Sequence, residues 1–413
     1  MNIQPTSFAF TLLLGVLTAV PYSGIDINLP ALAATGTTLG VSSSDIGLTM
    51  SAFMLSLAAA PLVYGPISDR IGRKPVVMAG VALFVVASLA CAAAQSMQML
   101  LICRFIQGVG AAGTTMTFAI IRDLFGETTA RAKISNVVIA VNVVTVVAPS
   151  AGAALLAVGS WRLIYATQAA VGVVLLLVVQ LGFAESARIA PAGRLLPSAV
   201  ITDYLRVLTH PASFAFILVG AAGGATVFAY VTGSSLFFIG VINLRPDQYG
   251  MIFSACSAAV MCGAFLDGRL GRHGITPATV LTIGLALLAT VATVLLAITL
   301  ANWTPPALVA VLLMAVALAF GLSMPNIMNA TMQPLPDIAG AVGAAAGSIQ
   351  MTAGAVAGGL VAILFDGHSA LSMTAVMATT SLLALTLYLL LARPAEGRLH
   401  RETMVATERA TPS

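Results

Sequence analysis

The chain has 413 residues, 59% of them hydrophobic and only 8% charged, with a mean hydropathy of +1.02. Soluble domains carry about 25% charged residues, so most of this protein's surface cannot face water. A net charge of +4 and a pI near 9.0 would suit a nucleic-acid binder, but the basic residues are spread over many short loops, which leaves no binding patch.

At about 20 apolar residues per bilayer crossing, the apolar runs predict twelve helices. They fall at 8–32, 44–66, 76–95, 98–122, 132–157, 162–184, 212–240, 247–267, 276–300, 304–329, 340–365 and 369–392. The first run contains Asp26 and has no Lys or Arg before it, so it reads as a span and not as a cleaved signal, despite Ala-Leu-Ala at 31–33. The connections are short except for 185–211, which holds Arg188, Arg194 and Arg206. The expected organisation is therefore an all-α integral membrane fold in two pseudo-symmetric halves. Residues 1–185 and 212–393 form the six-helix bundles, 186–211 the linker and 394–413 a tail.

Positive charge orients the helices. With a cytoplasmic N-terminus, fifteen of the 18 Lys and Arg residues fall in cytoplasmic segments. Arg162 and Arg245 lie outside and Arg104 within a span, so both termini are expected in the cytoplasm. The halves also echo each other: GPISDRIGRK (Gly65–Lys74) follows helix 2 and DGRLGRHG (Asp267–Gly274) follows helix 8. A six-helix duplication places a substrate site between the halves near the midplane.

Two ionisable residues sit well inside spans, Asp26 in helix 1 and Arg104 in helix 4. Each lies six residues from the expected outer end of its helix, roughly 9 Å deep at 1.5 Å per residue. A buried charge costs about 2.5–3.5 kcal/mol or more on insertion scales, which marks both as functional candidates. Two readings stand for Asp26: a structural salt bridge with Arg104, or a proton carrier whose affinity swings between dry and wet environments. Arg104 either orients its neighbours and tunes Asp26 or contacts substrate.

Residues 108–113, GVGAAG, match G-x-G-x-x-G inside an apolar helix, without the preceding strand that a dinucleotide site requires. Small-residue helix packing explains them instead, as it does Gly343/Gly347 and Gly354/Gly358 in helix 11. Cys91, Cys103, Cys256 and Cys262 lie in apolar runs without metal-ligand spacing, and the four histidines fall in loops or the tail. No metal, no cofactor and no enzymatic constellation is expected. For a polar cavity the candidates are Asn28, Gln107, Asn136, Asn142, Asn326, Asn329 and Gln350. Tyr22, one turn before Asp26, is the candidate cavity aromatic, and Met50 with Met54 a candidate apolar wall.

At these residues the chain resembles the major facilitator superfamily, specifically its drug:proton antiporters of the bicyclomycin/chloramphenicol-resistance type. The resemblance rests on GPISDRIGRKP (65–75), IDINLPAL (25–32), RFIQGVGAAG (104–113), IRDLFGETTARAKIS (121–135), SWRLIY (160–165) and MPNIMNA (324–330). It implies a proton-coupled exporter of lipophilic small molecules in a bacterial inner membrane, driven by the proton gradient and working as a monomer. Asp26 would bind the proton and Arg104 govern its release. Gly65, Asp69, Arg70, Arg73 and Asp123 would belong to a charge cluster latching the halves on the cytoplasmic side. The helix 5 antiporter motif keeps Pro149 and Gly152 but replaces three glycines, with Val144, Ala148 and Ala153 in their places. The uncharged Thr18 leaves no second acid in helix 1. A metabolite symporter or uniporter is the alternative on the same fold.

Overall fold

The computed structural model describes residues 3–125, 127–182, 185–186 and 197–397. Arg188, Arg194 and the tail from 398 onward lie outside the described residues. Among the described ones there is no strand, and twelve helices are long and apolar enough to cross a membrane. Numbered in chain order, span 1 covers Phe8–Leu39, span 2 Asp45–Gly65, span 3 Arg73–Ala92, span 4 Met97–Leu124, span 5 Lys133–Val158 and span 6 Trp161–Gly182. Span 7 covers Pro211–Val241, span 8 Pro246–Arg272, span 9 Pro277–Leu300, span 10 Pro306–Met332, span 11 Pro336–Ile363 and span 12 Leu371–Gly397.

Three differences from the hydropathy reading have a local reason, and span 8 also runs past its expected end at 267, to Arg272. Span 1 runs on to Leu39, but its α-helix stops at Asp26 and resumes at Leu32 after a 3₁₀ turn over Leu29–Ala31. The break follows from Pro30, which lacks an N–H and whose ring clashes with the carbonyl four residues earlier, that of Asp26. The helix of span 2 extends to Ile71, so Gly65 and Arg70 lie on its last turns and not in a loop. Gly72 alone separates it from span 3, at φ 103° and ψ 158°, a conformation reserved for glycine. The connection between the halves is not simply a loop either, because Pro197–Thr209 is a helix. Val207 and Tyr204 of that helix pack with Ile217, Leu335 and Val342 of the C-terminal half. Arg206 pairs with Asp337 at 3.0 Å, while Ile201, Leu205 and Leu208 stay exposed.

Small residues set how closely the spans approach. A Cβ on Gly80 of span 3 would stand 2.8 Å from Cα of Gly113 in span 4, so two glycines meet backbone to backbone. Gly110 packs equally tightly against the backbone of Phe84, and Gly108 against Phe53 and Ser56 of span 2. The GVGAAG run is thus a packing seam, as its helical setting implied. In span 11, Gly354 meets Phe228 and Met54 and Gly358 meets Thr232, but Gly347 has nothing within 4 Å.

Close contacts between the two halves gather toward the face opposite the termini. There Ser235 of span 7 donates to the Leu29 carbonyl of span 1 at 2.7 Å. Ser150 of span 5 and Ser254 of span 8 share a hydrogen bond of 2.9 Å, and Ser254 also donates to the Val146 carbonyl at 2.6 Å. Span 2 meets span 11 where a Cβ on Gly47 would stand 2.8 Å from that of Ala362. On the terminus-bearing face the halves approach at Arg122, whose guanidinium would be 3.5 Å from a Cβ on Gly340.

Candidate functional site

Asp26 ends the first helical segment of span 1, thirteen residues short of Leu39 and near the middle of the span. It is 6% exposed. The broken turn around it is gripped from both halves. Gly152 of span 5 lies against the Ile27 carbonyl, with no room for a Cβ. Ser235 of span 7 donates to the Leu29 carbonyl, which also accepts the Leu32 N–H. Asn28 folds back to donate to the Gly24 carbonyl at 2.9 Å. The acid therefore sits where backbone polarity, a helix end and the seam between the halves coincide.

Of the two readings for Asp26, the salt bridge with Arg104 does not form: among the described residues Asp26 makes no ion pair. Arg104 does reach span 1, but its Nη1 donates to the Gly24 carbonyl at 3.0 Å and to Gln107 Oε1 at 2.7 Å. Its Nη2 points to Met50 Sδ at 3.4 Å, and its guanidinium lies 4.3 Å from the centre of the Phe53 ring. Gln107 continues the network, donating to Ser88 Oγ and to Gln168 Oε1, each at 2.7 Å. Arg104 and Gln107 are both fully buried. Spans 1, 2, 3, 4 and 6 are pinned together around one cation, all within the N-terminal half.

Three tyrosines, two of them from the other half, stand within electrostatic reach of Asp26. Tyr22 lies one turn earlier and is 38% exposed. Tyr230 of span 7 and Tyr249 of span 8 are within electrostatic reach of the Asp26 carboxylate. Tyr230 stacks on Phe253 with centroids 5.3 Å apart and planes 14° from parallel, and Tyr249 donates to or accepts from Ser234 at 3.0 Å. These residues were missed in the sequence because nothing local marks a tyrosine as lying near an acid some 200 positions earlier.

The other proposed contacts scatter. Met50 and Met54 are each 1% exposed, core residues and not a cavity wall. Asn142 donates to the Val138 carbonyl of its own helix at 3.0 Å. Asn326 is 7% exposed and binds Asp267 Oδ1 at 2.7 Å, tying span 10 to the repeat of the span 2–3 motif. Asn136 and Asn329 are exposed, and Gln350 lies against Gly224 with its Nε2 3.8 Å from Met324 Sδ.

Around the span 2–3 motif, Arg73 Nε binds Asp123 Oδ2 at 2.9 Å, and its Nη1 donates to Ser68. This ion pair joins the start of span 3 to the end of span 4, so in this conformation it ties elements of one half. The side chain of Asp69 lies outside the described ones. A further acid, Glu185, completes the corner by accepting the backbone N–H groups of Arg73 at 2.9 Å and Lys74 at 3.1 Å. Its carboxylate occupies the space a Cβ at Gly72 would need. A carboxylate at a helix N-terminus meets both the unpaired donors and the dipole. The signal for Glu185 was present in the sequence as the acid directly after the sixth apolar run. Among the described residues no cluster of metal-ligating side chains occurs.

Comparison with known proteins agrees with this architecture. The sequence profile of the Major Facilitator Superfamily matches residues 14–359. The chain is 26% identical over 406 residues to a bicyclomycin resistance protein homolog of Haemophilus influenzae, covering 96% of this chain and 100% of that one. It is 28% identical over 361 residues to multidrug resistance protein D of Escherichia coli, covering 86% and 88%. The xylose transporter XylE of E. coli, in a partially occluded inward-open conformation, superposes with a TM-score of 0.72 at 14% identity, over 93% of this chain and 97% of that one; this likeness shows the fold. Twelve spans in this arrangement, a profile match over most of the length and relatives among the drug-resistance proteins place the chain in the Major Facilitator Superfamily, as a transporter and not an enzyme.

Proposed function

We propose that the protein exports small lipophilic compounds in exchange for protons, by alternating access, with Asp26 as the proton carrier. The observation that carries this reading is the setting of Asp26: a buried carboxylate without an ion pair, at a helix break gripped by one residue from each half. An unpaired charge at that depth is expensive, and taking up a proton removes the cost. Gain and loss of that proton therefore change the free energy of the segment on which the two halves meet.

Positive charge supports a cytoplasmic terminus-bearing face, and the bacterial relatives support a bacterial inner membrane. With that orientation the Ser235–Leu29, Ser150–Ser254 and Gly47–Ala362 contacts close the outer side. Substrate enters from the cytoplasm while Asp26 is deprotonated; the halves then rock, the outer seal opens, and a proton taken from outside displaces the substrate. Export agrees with the resistance functions named for the relatives.

Asp26→Asn tests this directly. In proteoliposomes the variant is expected to lose transport driven by a pH gradient while keeping the thermal denaturation midpoint of the native protein. Undiminished pH-driven transport would overturn the assignment.

A further inference from the structure

Tyr230 carries a polar group that the fold leaves unused. Its side chain is 5% exposed, yet its hydroxyl has no oxygen or nitrogen partner and only the weak one offered by the Cys256 thiol. A buried hydroxyl without a strong partner is costly, and phenylalanine would fill the same stacking position against Phe253 without that cost. The ring is held in place by this stack and by Tyr249, whose ring lies 6.1 Å from that of Phe253. The hydroxyl is thus aimed and rigid but unsatisfied.

Few groups can receive it. On span 8, the Cys256 thiol lies beside the hydroxyl but is a weak partner, and the Tyr249 hydroxyl is engaged with Ser234. Spans 10, 11 and 12 also pack against span 7. Their titratable groups lie elsewhere: Asp337 on Arg206, Tyr388 beside Phe216 and Thr282, and Arg393 and Glu396 at the far, terminus-bearing end of span 12. Arg104 is occupied by Gly24, Gln107 and Met50. Across the seam stands Asp26, within electrostatic reach of Tyr230, with Tyr22 of its own helix beside it. Its carboxylate is a strong acceptor without an ion-pair partner.

We propose that Tyr230 is a positioning residue for Asp26, its hydroxyl donating to the Asp26 carboxylate once the proton has left. The C-terminal half thereby senses the protonation of an acid carried by the N-terminal half. Loss of the proton adds a hydrogen bond between span 7 and span 1, and its return removes it. Ser235, just over one turn further along span 7, already holds the Leu29 carbonyl and keeps the two elements in register. The inference rests on Asp26 being the proton carrier.

A hydrogen bond donated to the charged form favours it, so removing the donor raises the pH at which the proton leaves. Tyr230→Phe is expected to move the midpoint of Asp26 deprotonation upward by about one pH unit, from the strength of hydrogen bonds to charged groups. Infrared titration of the purified protein reads this without transport, using the carboxylic C=O band that disappears in Asp26→Asn. The pH profile of transport should move in the same direction. The denaturation midpoint should not fall, because an unsatisfied hydroxyl is being removed. Tyr249→Phe, whose hydroxyl is committed to Ser234, should leave the Asp26 midpoint where it is. An unshifted midpoint in Tyr230→Phe overturns the inference, and so does an equal shift in Tyr249→Phe. If Asp26→Asn removes no band and leaves pH-driven transport intact, the proton-carrier reading falls first. A normal Asp26→Asn phenotype with an unshifted Tyr230→Phe condemns the Tyr230 link alone.

Discussion

Arg104 and Asp26 lie one contact apart, yet their surroundings differ in kind. Arg104 donates to a glutamine oxygen and a backbone carbonyl, lies over an aromatic ring and is sealed within the N-terminal half. Asp26 ends a broken helix, has no ion pair and stands within electrostatic reach of tyrosines of the C-terminal half. Both Nη groups of the cation are partnered in place, although its Nε has no hydrogen-bond partner, so moving it would unpair buried groups. The anion is left unpaired at the one segment that both halves grip. A membrane protein can hold a fixed charge by surrounding it with acceptors, whereas a charge that must come and go needs surroundings it does not saturate.

The sharpest way to break this contrast is to remove each charge and compare stability. Replacing a buried ionic group by an apolar one is sometimes neutral, but Arg104→Met leaves Gln107 Oε1 buried without its donor. It also deprives the Gly24 carbonyl of one of its two donors. With charge-assisted bonds worth about 1.5–3 kcal/mol each, the loss should be about 3–5 kcal/mol. It should appear as a large fall in the thermal denaturation midpoint in detergent. Asp26→Asn should show no such fall. If the Arg104 variant kept its midpoint while Asp26→Asn lost it, the roles assigned to the two residues would have to be exchanged.

Smaller in effect is a change that spares both charges but disturbs the break between them. At Gly152 an added Cβ would run into the Ile27 carbonyl, which is backbone and cannot swing aside. Gly152→Ala should cost about 1–3 kcal/mol by overpacking, and its transport should suffer although Asp26 remains. Gly65→Ala provides the contrast, since nothing lies within 4 Å of a Cβ there. In a helix that substitution is favourable by roughly 0.5–1 kcal/mol. Equal midpoints for the two variants would mean that Gly152 does not set the geometry around Asp26.

How much of this was legible in the sequence divides along physical lines. Spans are written in hydropathy, because the bilayer demands about 20 apolar residues whatever lies beside them. All twelve were found, and the errors with a local cause fall where short-range rules compete with hydropathy. Pro30 breaks a helix inside an apolar run, and Gly72 compresses an apparent loop into one residue. Asp26 and Arg104 stood out because charge is costly in a span. Whether they pair stayed open, because sequence depth says nothing about the direction of a long side chain. Arg104 satisfied the expectation of shared depth, but at the Gly24 carbonyl instead of the carboxylate. Met50, Met54 and Asn326 were unreadable for a related reason: a methionine lining a cavity and one filling a core look alike until the neighbouring helix is placed. Tyr230 and Ser235 depend wholly on contacts between halves, which no local pattern encodes.

The smallest expected effect tests the contact that joins those halves at the break. Ser235→Ala removes the side-chain donor to the Leu29 carbonyl, a neutral bond worth about 1 kcal/mol. Spread over the whole protein that is barely visible in a denaturation midpoint. Acting on an equilibrium between two closures, the same energy changes their ratio about fivefold. Opening of the face opposite the termini should therefore become more frequent in Ser235→Ala while folding hardly changes. Spin labels at Gly40 and Asn243, at the ends of spans 1 and 7 on that face, would report it as a larger fraction of long distances. Asp26 should then protonate more readily from that side, because the segment carrying it is held by one contact fewer. An unchanged distance distribution would mean that the Ser235 bond is incidental, and that the hold of the C-terminal half on the break resides in the aromatic residues near Asp26.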